Sequence, residues 1–251
     1  MRVTFLGTGT SHGIPMIGCD CPVCTSKDIH DKRFRSSIML EDKDRRIVID
    51  TGYEFRLQML REHVKHLDAV LYTHAHLDHT AGLDDLRVFC NNGPFPIYGS
   101  ENTLTILKHQ YPYAIDNAYI PGAPLLHANV LDAFEKVEIA GFEIEPIPVY
   151  HGKELIFGYR IGSFAYLTDT SRIPDNSFEA LKGVKTLAIV GLRHIPHEKH
   201  FSFAQAYEKG KALGVDRIYF THINHQTCYS EINSLYPGYA YSAYDGLKLE
   251  V

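Results

Sequence analysis

Short apolar runs that stop on a histidine or an aspartate punctuate this chain. Residues 69–72 read Ala-Val-Leu-Tyr and lead straight into Thr73-His74-Ala75-His76-Leu77-Asp78-His79. Residues 47–49 stop on Asp50-Thr51-Gly52, residues 144–150 on His151, residues 164–168 on Asp169 and residues 218–221 on His222. A short apolar run followed by polar residues predicts a buried strand that opens into a loop at the edge of a sheet.

The same patterning predicts the remaining elements. Residues 2–6 form a first strand, and Gly7-Thr8-Gly9-Thr10-Ser11-His12-Gly13 a flexible loop. Residues 36–40 and 46–50 are two strands joined by the charged turn around Lys43-Asp44-Arg45-Arg46. Phe55, Leu57, Met59 and Leu60 predict a helix before the strand at 69–72. Residues 82–90 predict another, closed by Pro94 and Pro96. A strand at 97–99 leads to Ser100, which caps a helix running towards His109. The middle is β-rich, with strands at 125–130, 136–139, 142–149, 157–161 and 164–167 and hairpin turns at Ala140-Gly141 and Gly162-Ser163. Helices from about Pro174 and over 202–213 then alternate with strands at 186–190 and 217–221. No Pro/Gly/Ser linker and no short repeat divides the chain. The expectation is one domain spanning 1–251, of class α/β, with sheets packed together and helices outside.

Composition narrows the partners rather than the fold. Apolar residues make up 45% and charged residues 22% of the 251, as in an ordinary globular protein, and the net charge is −5. That balance gives no electrostatic footprint for nucleic acid or an anionic membrane as main partner. The N-terminal apolar stretch is too short for a signal peptide, and no run nears the roughly 20 apolar residues that span a bilayer. A cytoplasmic location, where thiols stay reduced, is expected. Of five cysteines, Cys19, Cys21 and Cys24 are crowded together, which fits a metal site better than a disulfide framework. Cys90 and Cys228 are expected only to pack.

Histidine and carboxylate are preferred ligands of zinc, manganese and iron. One loop turn can aim His74 and His76 at one ion and Asp78 and His79 at another. A lone histidine after a strand is usually a satisfied loop or core residue. Seven N/O donors at one kind of structural position, with His151, Asp169 and His222 added, point instead to a two-metal site. The glycine-rich loop lacks the Gly-Lys-Ser/Thr of a phosphate cradle and opens no helix, so close backbone approach to a ligand is its expected role. His12 reads as a plain loop histidine.

His-x-His-x-Asp-His, followed by His151, Asp169 and His222, resembles the metallo-β-lactamase superfamily in its dinuclear phosphodiesterase branch. Phe5-Leu6-Gly7-Thr8-Gly9-Thr10 and Ile49-Asp50-Thr51-Gly52 resemble its first strands. The resemblance implies a four-layer αββα sandwich with metals at one edge of both sheets. It implies His74, His76 and His151 on one ion, Asp78, His79 and His222 on the other, Asp169 bridging, and Asp50 orienting the ligand loop. Gly18-Cys19-Asp20-Cys21-Pro22-Val23-Cys24, with His222-Ile223-Asn224-His225-Gln226, resembles the PhnP proteins, cyclic phosphate phosphodiesterases. In that family the matching cysteines and second histidine hold a structural zinc, here Cys19, Cys21, Cys24 and His225.

The implied reaction is hydrolysis of a small phosphodiester, such as a ribose cyclic phosphate. Two divalent ions, Zn²⁺ or Mn²⁺, would share a water, lower its pKa from about 15.7 towards 7 and clamp the phosphoryl oxygens. Asp78 would accept a hydrogen bond from that nucleophile. His200, just before the 202–213 helix, resembles the family's histidine acid, with His197 next and His194 as the remaining candidate. The loop at 112–124 is expected to grip the substrate's organic group, and a homodimer is compatible with the chain. Two other readings stand beside this one: a nuclease processing tRNA 3′ ends, and a metal-stabilised accessory protein of cofactor biosynthesis.

Overall fold

The computed structural model describes residues 1–90, 93–117 and 120–251. In chain order these residues form β1 (Arg2–Gly7), β2 (Ser37–Asp42), β3 (Arg45–Ile49), α1 (Phe55–Arg61), β4 (Ala69–Leu71), α2 (Leu77–Thr80), β5 (Phe95–Gly99), α3 (Glu101–Gln110) and β6 (Leu126–Val130). There follow β7 (Val137–Ile139), β8 (Phe142–His151), β9 (Glu154–Ile161), β10 (Phe164–Leu167), α4 (Asp175–Ala180), β11 (Thr186–Val190), α5 (Phe203–Leu213), β12 (Arg217–Thr221), α6 (Tyr229–Leu235), β13 (Ala240–Ser242) and β14 (Lys248–Glu250).

The strands make two seven-stranded sheets, ordered β14-β1-β2-β3-β4-β5-β6 and β13-β12-β11-β10-β9-β8-β7. Each begins with antiparallel hairpins and continues as a parallel ladder, from β3 to β6 and from β10 to β13. Alternation along the strands explains the layering, because successive side chains point to opposite faces. Ile47 and Ile49 of β3, and Phe164 and Tyr166 of β10, meet in the cluster between the sheets. Val48 faces Phe55, Met59 and Leu83 on one outer side. Ala165 and Leu167 face Leu181 and Phe203 on the other. Three apolar clusters between four layers give the αββα sandwich that the sequence resemblance implies.

Helix ends follow local chemistry. Ser202 and Gln205 form a capping box at α5, and Gly214, at φ +69°, closes it in the left-handed conformation. The Ser100 hydroxyl accepts from the Thr103 N–H, as expected for α3.

Several expectations need correction. The helix expected at 82–90 is present as a 3₁₀ helix over residues 83–89. Pro96 lies inside β5 instead of closing the preceding element; the ladder to β4 begins only at Ile97, so no N–H is needed there. The strand expected at 142–149 is present and keeps Pro146 and Pro148 within it, beyond the reach of β7, which pairs only as far as Ile144. That strand runs further than expected, paired with β9 as far as His151, so His151 is its last residue and not the residue after it. β9 starts three residues earlier than expected, at Glu154. The ligand-rich loop after β4 contains a single helical turn, α2. Among the described residues no helix is long and apolar enough to cross a membrane.

Candidate metal centres

The C-terminal ends of β3, β4, β8, β10 and β12 deliver the candidate ligands to one edge of the sandwich. Asp50, Asp169 and His222 each adopt a positive φ, of 67°, 52° and 54°. For an L-residue this costs roughly 1–2 kcal/mol, least for aspartate. It turns the chain sharply, so that the side chain closes over the sheet edge. Surrounding hydrogen bonds hold the kinks: the Asp50 N–H donates to Leu71 O at 2.9 Å, and the Ile223 N–H to Thr8 O at 2.9 Å. Gly52 is forced by the next turn, because a Cβ there would lie 2.4 Å from the Asp78 carbonyl oxygen.

Asp50 is wholly buried and works as an anchor. It accepts from the Thr73 N–H and hydroxyl, both at 2.8 Å, and from His79 Nδ1 at 2.7 Å. Since the Thr73 hydroxyl hydrogen goes to Asp50, its oxygen is free to accept from His74 Nδ1 at 3.0 Å. His151 Nδ1 donates to the carbonyls of Asp169 (2.9 Å) and Lys199 (3.0 Å). His222 Nε2 lies 3.2 Å from the Thr10 hydroxyl. In each ring one nitrogen is thus held from behind, which fixes the tautomer and turns the other inward.

The inward nitrogens of three of these rings, His74 Nε2, His79 Nε2 and His222 Nδ1, are buried without a hydrogen-bond partner. Two of them nevertheless lie close to oxygens: His79 Nε2 is 3.2 Å from Asp169 Oδ1 and 3.4 Å from Asp78 Oδ2, and His222 Nδ1 is 3.1 Å from Asp169 Oδ1. These approaches have the distance of hydrogen bonds but not the alignment. Two ligands about 2.1 Å from one tetrahedral ion stand about 3.4 Å apart, so the spacing fits a shared cation. The donor atoms fall into groups His74/His76/His151 and Asp78/His79/Asp169/His222, with Asp169 also grouped with His151 and His200. The residues present therefore fit two divalent ions.

Electrostatics agree with the geometry. Burial pushes His74 well below the ordinary histidine range, with the neighbouring His79 adding to it, and burial pushes His222 down to about 3. Burial opposes charge on His79 too, but the carboxylates of Asp169, Asp78 and Asp50 override it and raise that ring well above its usual value. Burial likewise works against the Asp169 carboxylate, and His222, His79 and His200 hold it well below the usual range. The pocket attracts positive charge strongly, and a divalent cation answers that demand without protonating a ligand.

A separate cluster surrounds His225 Nδ1, with Cys19, Cys21 and Cys24 Sγ at 3.2, 3.4 and 3.6 Å. A tetrahedral zinc with ordinary Zn–S and Zn–N lengths places sulfur and nitrogen about 3.5 Å apart. Backbone N–H groups support the sulfurs, Met16 donating to Cys24 Sγ and Cys24 to Cys21 Sγ. Burial pushes the Cys21 thiol up, but hydrogen bonds from the Cys24 N–H, Cys19 and His225 outweigh it and bring it down to about 6. Burial raises Cys24 to about 11. Ile14 and Val23 back the loop, with Met16 and Cys228 packed alongside. Cys90 sits against the helix-side cluster of the first sheet.

Of the three histidines considered as acid, His200 is in the site. Its Nε2 lies 3.2 Å from Asp169 Oδ2 and its ring stacks on His222 at 5.0 Å. His197 stands behind it, Nδ1 to Nδ1 at 3.2 Å, whereas His194 turns away to Glu231. His12 is exposed. A cavity of about 490 Å³ opens beside His151, walled by Gly152, Lys153, Glu154, Glu198 and Lys199. The described residues of the 112–124 loop, expected to grip substrate, do not line it. Tyr113 donates instead to Asp84 and the Gly122 carbonyl accepts from Arg87; residues 118–119 of that loop lie outside the described residues. Sequence reasoning missed Thr10, Thr73 and Glu154, whose roles come from tertiary proximity; only the glycine-rich loop around Thr10 had signalled close approach to a ligand.

Comparison with known proteins agrees with this arrangement. Residues 45–223 match the beta-lactamase superfamily domain. A solved structure described as a new diphosphatase from the PhnP family superposes with a TM-score of 0.92 at 42% identity, covering 100% of this chain and 97% of that one. Coenzyme PQQ synthesis protein B of Methylobacterium radiotolerans is 33% identical over 222 residues, 76% of this chain and 73% of that protein. An octanoyltransferase of Porphyromonas gingivalis is 38% identical over 251 residues, 99% of this chain. The chain spans about half (51%) of that protein's length. Fold, edge-of-sheet His/Asp clusters, cysteine loop and full-length similarity together place the chain in the metallo-β-lactamase superfamily, within its PhnP family.

Proposed function

We propose that the chain is a metal-dependent hydrolase of a small phosphodiester, with a ribose cyclic phosphate as the leading substrate class. The observation that carries this reading is the inward, partnerless set His74 Nε2, His79 Nε2 and His222 Nδ1 around the Asp78 and Asp169 carboxylates. His74, His76 and His151 would hold one ion and Asp78, His79, Asp169 and His222 the other, either Zn²⁺ or Mn²⁺. Bound there, such ions acidify a water and neutralise charge on phosphoryl oxygens. Cys19, Cys21, Cys24 and His225 would hold a structural zinc.

The chain's own groups supply the rest. Asp78 accepts a hydrogen bond from the attacking water and orients it. His200 keeps a proton on Nε2 against Asp169 Oδ2 and delivers it to the departing alkoxide. The cavity beside His151 takes the leaving group. Asp50 and Thr73 keep His74 and His79 in the one tautomer that binds a cation.

A second reading, cleavage of a phosphoric anhydride, is favoured by the 42% identity to the PhnP-family diphosphatase. It uses the same machinery on a different leaving group. Precursor tRNA fits less well, because a net charge of −5 offers RNA no basic footprint. The similarity to coenzyme PQQ synthesis protein B keeps an accessory role in cofactor biosynthesis as a further alternative. The test is kcat/KM for a ribose cyclic phosphate, a nucleoside diphosphate ester, bis(p-nitrophenyl) phosphate and a precursor tRNA, each with Zn²⁺ and Mn²⁺. The ribose cyclic phosphate is expected to be the best substrate. A higher value on the diphosphate ester shifts the assignment to the second reading, and no turnover of any of them sinks both.

A further inference from the structure

The two candidate ion sites are built unequally. In the site of Asp78, His79, Asp169 and His222, the side chains of His79, Asp169 and His222 are 3% exposed or less. Two carboxylates face the ion directly, and Asp50 adds a third charge behind His79. In the other site the donors are three imidazoles. His74 and His151 are buried and anchored at Nδ1. His76 is different: its side chain is 45% exposed. Among the described residues its ring has a single polar approach, Nε2 to Glu154 Oε2 at 3.6 Å. Glu154 is itself 36% exposed, at the first position of β9. This contact leaves Nδ1 of His76 free to face the ion and makes Glu154 the counterpart of Asp50, at a longer distance and in contact with water.

We infer that the chain loads its ions in a fixed order. The site of Asp78, His79, Asp169 and His222 fills first and tightly; the site of His74, His76 and His151 fills second and reversibly, with Glu154 as the residue that positions His76. The physical reasons are the carboxylate count, the burial and the quality of the support behind each imidazole. The second ion would also enter beside a dication already in place, since Asp169 groups with His151 as well as with Asp78, His79 and His222. Hydrolysis that needs both ions then follows the supply of the second, so free divalent metal sets the active fraction of the protein. This inference rests on the two-ion reading of the site.

The test equilibrates the metal-loaded protein against a graded series of a competing chelator, counting bound metal by mass spectrometry. Crystals from each plateau are examined by anomalous scattering. One His/Asp ion is expected to leave well before the other, and the ion that stays should lie beside Asp78, His79 and His222. Glu154→Gln, on the exposed hairpin and outside the core, should move the first release to about tenfold lower chelator and leave the second in place. Simultaneous release, a surviving ion beside His74, His76 and His151, or an unmoved first step in Glu154→Gln would overturn the order. If two ions are present and a phosphodiester is turned over, such a result leaves the proposed function standing. A loaded protein with no ion in either His/Asp cluster overturns both.

Discussion

Asp169→Ala is expected to lower kcat/KM on a phosphodiester by about 10³-fold or more, equivalent to ~4 kcal/mol of lost transition-state stabilisation. The Asp169 carboxylate ties three histidines of the site together. Oδ1 lies 3.2 Å from His79 Nε2 and 3.1 Å from His222 Nδ1, while Oδ2 lies 3.2 Å from His200 Nε2. Its removal takes a negative charge from one ion site and the partner from the histidine proposed as acid. Because Asp169 sits at φ 52°, alanine there adds a backbone penalty of its own. Asparagine tolerates that conformation, so Asp169→Asn separates chemistry from strain. Both variants should lose activity; the asparagine variant should keep a near-normal melting temperature and lose metal from the His/Asp site. Normal turnover in Asp169→Asn contradicts the two-ion chemistry.

Cys21→Ala should act first on stability. Cys21 Sγ is 3.4 Å from His225 Nδ1, and hydrogen bonds bring its thiol down to about 6 against the effect of burial, which favours the thiolate that zinc binds. Thiolate zinc sites contribute ~10 kcal/mol or more to small domains; in a chain with large apolar clusters between its layers, a loss of about 3 kcal/mol is expected. At this chain length that corresponds to a fall in melting temperature of roughly 10 °C. The effect also reaches the reaction, because His225 lies three residues from His222 on one segment. That segment is clamped by the Ile223 N–H donating to Thr8 O and by the Asn224 N–H donating to Leu192 O. Differential scanning calorimetry with and without a chelator checks this: wild type should fall towards the variant when zinc is stripped, while the variant should barely respond. Identical melting temperatures and metal contents in the two proteins would remove the structural role given to the cysteine loop.

Much of the fold was legible because its strands are buried on both faces. Sequences such as Ala69-Val70-Leu71-Tyr72 and Ile218-Tyr219-Phe220-Thr221 leave little alternative to an internal strand. The candidate ligands were legible because histidine and aspartate are conspicuous directly after such runs. Their division between two ions, and the pairing of the cysteine loop with His225, came from family resemblance. Residues brought together by the fold alone stayed hidden. Thr10 lies 212 positions from His222, and Glu154 lies 78 from His76. Nothing in the local sequence of either threonine or glutamate marks it as a support for an imidazole. Short elements were hidden for another reason. β13 and β14 have three residues each, too few for a period to register, and α2 is a four-residue turn whose residues are themselves candidate ligands. Pro96 misled in the opposite direction, since proline in a strand is harmless where a neighbouring ladder is absent.

The measurement that bears most directly on the whole account is anomalous scattering from crystals of the metal-loaded protein, collected at the zinc and manganese edges. Three peaks are expected: one among Cys19, Cys21, Cys24 and His225, one among His74, His76 and His151, and one among Asp78, His79, Asp169 and His222. A single peak at the cysteine loop, with fully loaded protein, would contradict the two-ion centre and leave a zinc-stabilised protein without the proposed chemistry.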